Sequence, residues 1–269
     1  MLRTGADDLR EAAAKAAVDF DVVAAMGGDG TVNAVAGALA GTPTPLLVLP
    51  AGTLNHFARD LGLPLDPAEA ALLVRDGVRR EVDVGEVNGH VFVNNSSIGA
   101  YPLTVALRER LQDERGGGKW TAMTRAALRT FHRYPTVRVR LASDDGEVSL
   151  ETPFVFVGNN VYADRGLGAP QRERLDAGCL GVLTVRATTR REGLRIAVLG
   201  ALGRLDDART VWRGDPTQLT VETEGRSQLV SLDGEVVSGE GPLEYRSRPR
   251  ALVVLAPPSA TSGCSPRER

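Results

Sequence analysis

The chain has 269 residues, 42% hydrophobic and 25% charged, with a formal net charge of -2. A near-neutral balance gives no global basic field to hold nucleic acid or an anionic membrane, so such contacts need a local patch. No apolar run approaches the roughly 18–20 residues of a membrane span, and the N-terminus "MLRTGADDLREAAAKAAVDF" does not read as a signal peptide.

Residues 6–17, "ADDLREAAAKAA", predict a helix with Asp7 and Asp8 near its start, where they favour the dipole. "DFDVVAAM" (19–26) is apolar without polar alternation, as in a strand buried on both faces of a parallel sheet. Helix follows at 31–41, a second buried strand at 44–53, and helices at 54–62 and 66–77, the last opened by Asp66 with Pro67 at its first position. Strand and helix alternating in this way indicate an α/β layer. From about residue 81 the texture turns to β. Asn88-Gly89 marks one hairpin and Asp145-Gly146 another within 136–150, and five further strand patterns lie between residues 152 and 257. Helical patterns interrupt at 102–134 and 190–205. The expectation is an α/β domain over 1–85, a larger β-rich domain over 86–256 with the site in the cleft between them, and a disordered tail over 257–269.

"GGDGT" (27–31) sits between a predicted buried strand and a helix start. Free N–H groups point outward at such a junction, and glycines let the backbone approach a ligand closely. That combination suits phosphate. It is neither a P-loop nor GxGxxG. "LPAGTLNHFAR" (49–59) follows the next strand, and in a parallel sheet successive loops leave at the same carboxyl edge. Asp29, Thr31, Thr53 and Asn55 are therefore expected around one pocket. Two distant cysteines, Cys179 and Cys264, and three scattered histidines offer no disulfide framework and no clustered metal site, which fits a reduced cytoplasmic protein.

"GGDGTVN", "PAGTLNHFAR" and "SLDGEVV" (231–237), with "VFVNNSSIGA" (91–100) and "YADRGLGAPQRERLDAGCLGVLTV" (162–185) between them, resemble the lipid kinases that include bacterial diacylglycerol kinases and sphingosine kinases. The resemblance runs from about residue 4 to residue 256. GGDGT alone is also found in NAD kinases and phosphofructokinases; the second segment is the more specific. The resemblance implies ATP-dependent phosphorylation of a lipid hydroxyl. It implies an N-terminal α/β nucleotide domain and a larger β-rich domain. It puts the nucleotide site on Gly27, Gly28, Asp29, Gly30, Thr31, Val32, Asn33 and Ala34, on Gly52, Thr53 and Asn55, and on Thr4. Asp233 and Glu235 fall on the acidic pair. Either could accept the hydroxyl proton; Glu235 comes first, with Asp233 orienting it or a metal. Mg²⁺ would bridge phosphate oxygens, with Asp29 its candidate carboxylate.

Relatives begin with a strand and an Asn-Pro-x-Ser-Gly-type loop before the helix that opens this chain, so the nucleotide domain reads as truncated, with an open sheet edge. Where many relatives carry a second aspartate for a structural Mg²⁺, this chain has Ala177, and no metal ligand is assigned there. Arg125, Arg129 and Arg133 recur at i, i+4 in "KWTAMTRAALRTFHRY" (119–134). That helix either packs with a solvated face or docks on a membrane holding the lipid. The expected partners are ATP and a lipid, diacylglycerol or a related long-chain alcohol, with transient contact at the inner membrane face. The alternatives are a catalytically impaired nucleotide- or lipid-binding homologue and a NAD kinase-like enzyme.

Overall fold

The computed structural model describes residues 6–99, 135–163, 171–187, 189–201, 211–224 and 227–258. Thr4, the 119–134 helix and most of the expected tail lie outside these residues.

The N-terminal half is an α/β layer. Helix α1 (Ala6–Asp19) leads to strand β1 (Val23–Gly27), helix α2 (Asp29–Leu39) and strand β2 (Leu46–Pro50). β1 and β2 pair in parallel, Val23 opposite Leu46 and Gly27 opposite Pro50. Short helices α3 (His56–Asp60), α4 (Pro67–Ala71) and α5 (Leu73–Asp76) follow. As the sequence predicts, Asp66 caps α4 by accepting from Ala68 and Glu69 N–H, with Pro67 first in the helix. Among the described residues β1 pairs only with β2, so its other edge is open. Helix α2 starts at Asp29, two residues earlier than its apolar pattern suggests, because Gly28 takes an extended N-cap conformation.

Strand β3 (Val78–Val87) turns through Asn88 (φ 46°) and Gly89 (φ 84°) into β4 (His90–Phe92), the expected hairpin. Then come β5 (Asn95–Gly99), β6 (Val137–Ser143), β7 (Gly146–Thr152), β8 (Phe154–Asn159), β9 (Tyr162–Ala163), β10 (Gln171–Arg172), β11 (Leu180–Val185), helix α6 (Arg190–Ala201), β12 (Val211–Gly214), β13 (Gln218–Thr223), β14 (Ser227–Leu232), β15 (Glu235–Glu240) and β16 (Leu243–Ala256). The β6–β7 turn differs from expectation by one residue. Ser143 pairs with Gly146, so Asp144 and Asp145 form the turn and Gly146 follows at φ 125°.

Among the described residues six strands form one antiparallel sheet, in the order β12-β11-β8-β5-β14-β15. The other sheet has eight, β1-β2-β16-β13-β6-β7, with β3 and then β4 joined through β16. Ile98, Val155, Val157, Val230 and Leu232 of the first face Phe92, Leu141, Leu219, Leu243 and Tyr245 of the second in one core. The second core lies between α1, α2, α3 and the parallel strands.

β16 joins the two. Its first part pairs with β13, and its last part runs beside β2, Val254 opposite Leu46. Leu252, Val254, Leu255 and Ala256 thus belong to the N-terminal core, and residue 85 falls inside β3, which pairs β16 along its length. The register breaks between Arg248 and Leu252, where Arg250 (φ 51°) donates its N–H to Asp83. Hence Leu252→Ala, at a fully buried side chain of the C-terminal strand, should destabilise the N-terminal half by about 2–5 kcal/mol. Hydrogen exchange of β1 and β2 amides should register the loss.

Candidate active site

β1 and β2 are parallel, so the turns after them meet at one edge. Ala51 N–H donates to the Gly27 carbonyl (2.9 Å). The two glycine turns then touch: a Cβ on Gly52 would overlap the Gly28 Cα, and one on Gly27 would lie 2.6 Å from the Thr31 side chain. Only glycine permits this approach. Gly28 at the N-cap has no side chain with which to cap α2, so the first-turn amides lie where the helix dipole is positive and an anion would sit.

Asp29 opens α2. Its Oδ1 accepts from Phe57 N–H (3.4 Å) in α3 and from Asn94 Nδ2 (3.5 Å). Facing it is the β14–β15 turn, where Asp233 (φ 48°) and Gly234 (φ 87°) supply the left-handed pair that a tight hairpin requires. The turn directs two carboxylates differently. Asp233 folds back and accepts three backbone N–H groups, from Val93 (2.8 Å), Asn94 (2.9 Å) and Asn95 (2.8 Å). Glu235 reaches over α2, its Oε1 2.9 Å from where a Cβ on Gly30 would stand.

A buried ion pair underlies this arrangement. Arg172 Nε donates to Asp60 (2.8 Å), and both side chains are buried. Its Nη1 donates to the carbonyls of Val93 (2.5 Å) and Asn159 (3.0 Å), and its Nη2 to Asn94 Oδ1 (2.9 Å). The guanidinium stacks over Tyr162, whose hydroxyl donates to the Asn94 carbonyl (3.1 Å) and is pushed up to about 12 by burial.

Residues 1–87 match the diacylglycerol kinase catalytic domain, and residues 106–256 match the YegS C-terminal NAD kinase beta sandwich-like domain. A Pseudomonas aeruginosa protein named "Probable lipid kinase YegS-like" is 33% identical over 251 residues, 90% of this chain and 78% of its own. A Bacillus subtilis "Diacylglycerol kinase" is 32% identical over 267 residues, 94% of this chain and 84% of its own. The chain belongs to the diacylglycerol kinase family of lipid kinases. The fold agrees: a crystal structure titled as a diacylglycerol kinase from Bacillus anthracis superposes with a TM-score of 0.69 at 22% identity, covering 97% of this chain and 85% of that one. The enzyme is accordingly a phosphotransferase of the lipid-kinase class.

In this lipid kinase Gly27, Gly28, Asp29, Gly30, Thr31 and Gly52 gather at one edge beside Glu235. Val32, Asn33 and Ala34 do not join them with their side chains, which are buried in α2. They lie a full turn into the helix, and the Val32 N–H is bonded to the Gly28 carbonyl. Asn55 is also used differently from expectation. Its amide accepts from Gly52 N–H (2.9 Å) and donates to the Gly52 carbonyl (3.0 Å), so it shapes the loop. Thr53 is exposed on the same loop. Asp233 carries the hairpin, its oxygens filled by amides. Asn94, Asp60, Tyr162 and Arg172 are additions from the structure. The buried polar residues Asn94, Ser96 and Ser97 inside an apolar strand pattern are a signal for the first; nothing local separates Arg172 from the other arginines.

The residues fit a nucleotide with Mg²⁺. The α2 N-terminus turns its first amides toward this half-buried edge, the close approach of the turns excludes any Cβ, and Asp29 keeps Oδ2 outside its bonds to Phe57 and Asn94. Among the described residues no three of His, Cys, Asp and Glu converge to hold a metal by themselves. Phosphate oxygens and water would therefore complete the Mg²⁺ shell.

Burial pushes the Asp233 carboxyl up to about 6, outweighing the three amides and the Arg172 charge that draw it down. The folded chain then holds this proton more tightly than the unfolded chain, where Asp titrates at about 3.9. The resulting stability is complete below that value and is lost as pH rises through about 6. Asp233→Asn should abolish this slope in thermal unfolding between about pH 4 and 6. At pH 8 the variant should also melt lower, because one backbone N–H then faces the Asn NH₂, at about 1–3 kcal/mol.

Proposed function

We propose that the enzyme transfers the γ-phosphoryl group of ATP to a hydroxyl of diacylglycerol or a related long-chain lipid alcohol. The observation that carries this reading is the Glu235 carboxylate reaching over Gly30 at the N-terminus of α2. The amides of Gly28 to Thr31 bind the phosphates, and Thr53 lines the nucleotide side of the same edge. Glu235 accepts the acceptor's hydroxyl proton as its oxygen attacks the γ-phosphorus. The bond to the β–γ bridging oxygen breaks and ADP leaves. Mg²⁺, when bound, neutralises charge on the transferring group. Asp233 takes no proton in this scheme; it fixes where Glu235 starts.

Transient contact with an anionic membrane surface is part of the same reading. It is supported by α6, since the sequence-predicted 119–134 helix lies outside the described residues. Thr189 and Glu192 cap α6 reciprocally (3.1 and 3.3 Å). At 3.6 residues per turn, Arg190, Arg191, Leu194, Arg195 and Val198 share one arc of about 140°. Leu194 is 56% and Val198 51% exposed, while Ile196 is buried on the opposite side. Two apolar side chains among three arginines, with no acid in the arc, match an anionic lipid interface. Among the described residues no helix is long and apolar enough to cross a membrane.

Transfer from radiolabelled ATP to a panel of lipid alcohols in mixed micelles tests the reaction. Glu235→Gln should lower kcat by about 10²–10⁴-fold with nucleotide affinity retained; undiminished turnover would remove Glu235 as base. For the membrane contact, replacing Arg190, Arg191 and Arg195 together with Gln should weaken co-sedimentation with phosphatidylglycerol vesicles by about 10²-fold, at about 1 kcal/mol per arginine. Unchanged binding dismisses α6 as the docking element.

A further inference from the structure

We infer that Asn94 is a positioning residue that aims the Asp29 carboxylate at the phosphate cradle, with Arg172 fixing the direction of its amide. The inference rests on the phosphoryl-transfer reading of the site, but its geometry stands apart from any acceptor. A guanidinium only donates and a carboxylate only accepts. Asn94 lies between one of each. Its Oδ1 must face Arg172 (2.9 Å), and its Nδ2 must therefore face Asp29 (3.5 Å). No other orientation of the amide satisfies both neighbours.

Arg172 is itself unable to turn. It is 5% exposed, paired with Asp60, bonded to two carbonyls and stacked on Tyr162. The Asn94 backbone is held as firmly, its N–H by Asp233 and its carbonyl by Tyr162 and by Asn159 N–H (2.9 Å). The side chain that links the α2 carboxylate to the segment held by the β14–β15 turn is thus fixed through its other polar atoms. Both bonds to Asp29 end on Oδ1. Asn94 and Phe57 N–H rotate the carboxylate so that Oδ2 is left toward the cradle. One residue consequently sets the spacing of the glycine turn, the Asp233 hairpin and the α3 segment.

Asn94→Asp separates positioning from structure. The substituted carboxylate keeps an acceptor for Arg172 but stands, buried, where the amide nitrogen lay 3.5 Å from Asp29, so the variant should fold but melt below the wild type, and its kcat is read well below that melting temperature. It replaces the donor facing Asp29 with an acceptor, so kcat should fall about 10–100-fold while the KM for lipid stays within about twofold. Asn94→Ala should lower kcat similarly and, because it leaves the buried Arg172 Nη2 without its acceptor, should melt clearly below wild type, so its kcat is read per folded molecule. Arg172→Lys keeps the Asp60 charge pair but loses the fork that orients Asn94. Combined with Asn94→Ala it should add little further loss in kcat, because the amide is already unaimed. Wild-type kcat in Asn94→Asp, strictly additive losses in the double variant, or a kcat loss in Asn94→Ala that only tracks its folded fraction would each overturn the inference. Failure of the kinase reading itself would look different: no transfer to any lipid alcohol by the unaltered chain.

Discussion

Arg172 keeps its charge where water does not reach, and the site is arranged around making that tolerable. An isolated buried guanidinium would be prohibitive, and even a buried pair with Asp60 gives little net stability once both ions have been desolvated. What the pair provides is direction. Four directed N–H contacts go to four acceptors on three segments: Asp60 in α3, Val93 and Asn94 before β5, and Asn159 at the end of β8. Breaking any one leaves a buried donor or acceptor unmatched, so the segments share one geometry or none.

The Val93–Asn95 stretch is clamped from both sides as a result. Its carbonyl and amide oxygens face the cation, and its N–H groups face the Asp233 anion. The peptide dipoles in between align with that field. Asp233 can make these bonds only because the hairpin places it at positive φ, a conformation Asp tolerates poorly but better than most residues. A short turn in β14–β15 is thereby tied to residues about 140 positions earlier, and Glu235, two residues further on, inherits the placement.

The parts of this site that are local were readable from residues alone. Adjacent glycines after an apolar run announced the turn at Gly27 and Gly28; Asn88-Gly89 announced a hairpin; Asp66-Pro67 announced a helix start. Residues whose roles come from distant contacts were not. Asn55 reads as a ligand because Asn binds phosphate and ribose oxygens, yet its neighbour Gly52 takes both ends of its amide. Val32, Asn33 and Ala34 share the motif but rotate into the core one turn along the helix. Only the apolar end of β16 was visible, since its first part carries "RSRPR" and a register break. That polar run is stabilised by partners on β3: Glu86 pairs with Arg246 and Arg248. The β3 side reads as a strand by its alternation before Asn88-Gly89; the arginine-rich side does not.

Under the proposed reading, electrostatics bears on how these carboxylates would tolerate a triphosphate. Asp29, Asp60, Asp233 and Glu235 all belong to the segments around the glycine turn, and left unscreened their charge would repel a phosphate. Two are answered from within the protein, Asp60 by Arg172 and Asp233 by three amides and the same arginine. Their charge serves the scaffold and has little reach into the cleft. In the proposed reaction Asp29 and Glu235 would be the carboxylates next to the phosphates, at the α2 N-terminus. The helix amides and a divalent cation at Asp29 would offset the phosphate charge, and Glu235 would be left as the base nearest the transferring group. A cation or any further carboxylate shifted by an ångström would upset this balance. The rigidity of the Arg172 segment is therefore an electrostatic requirement as much as a steric one.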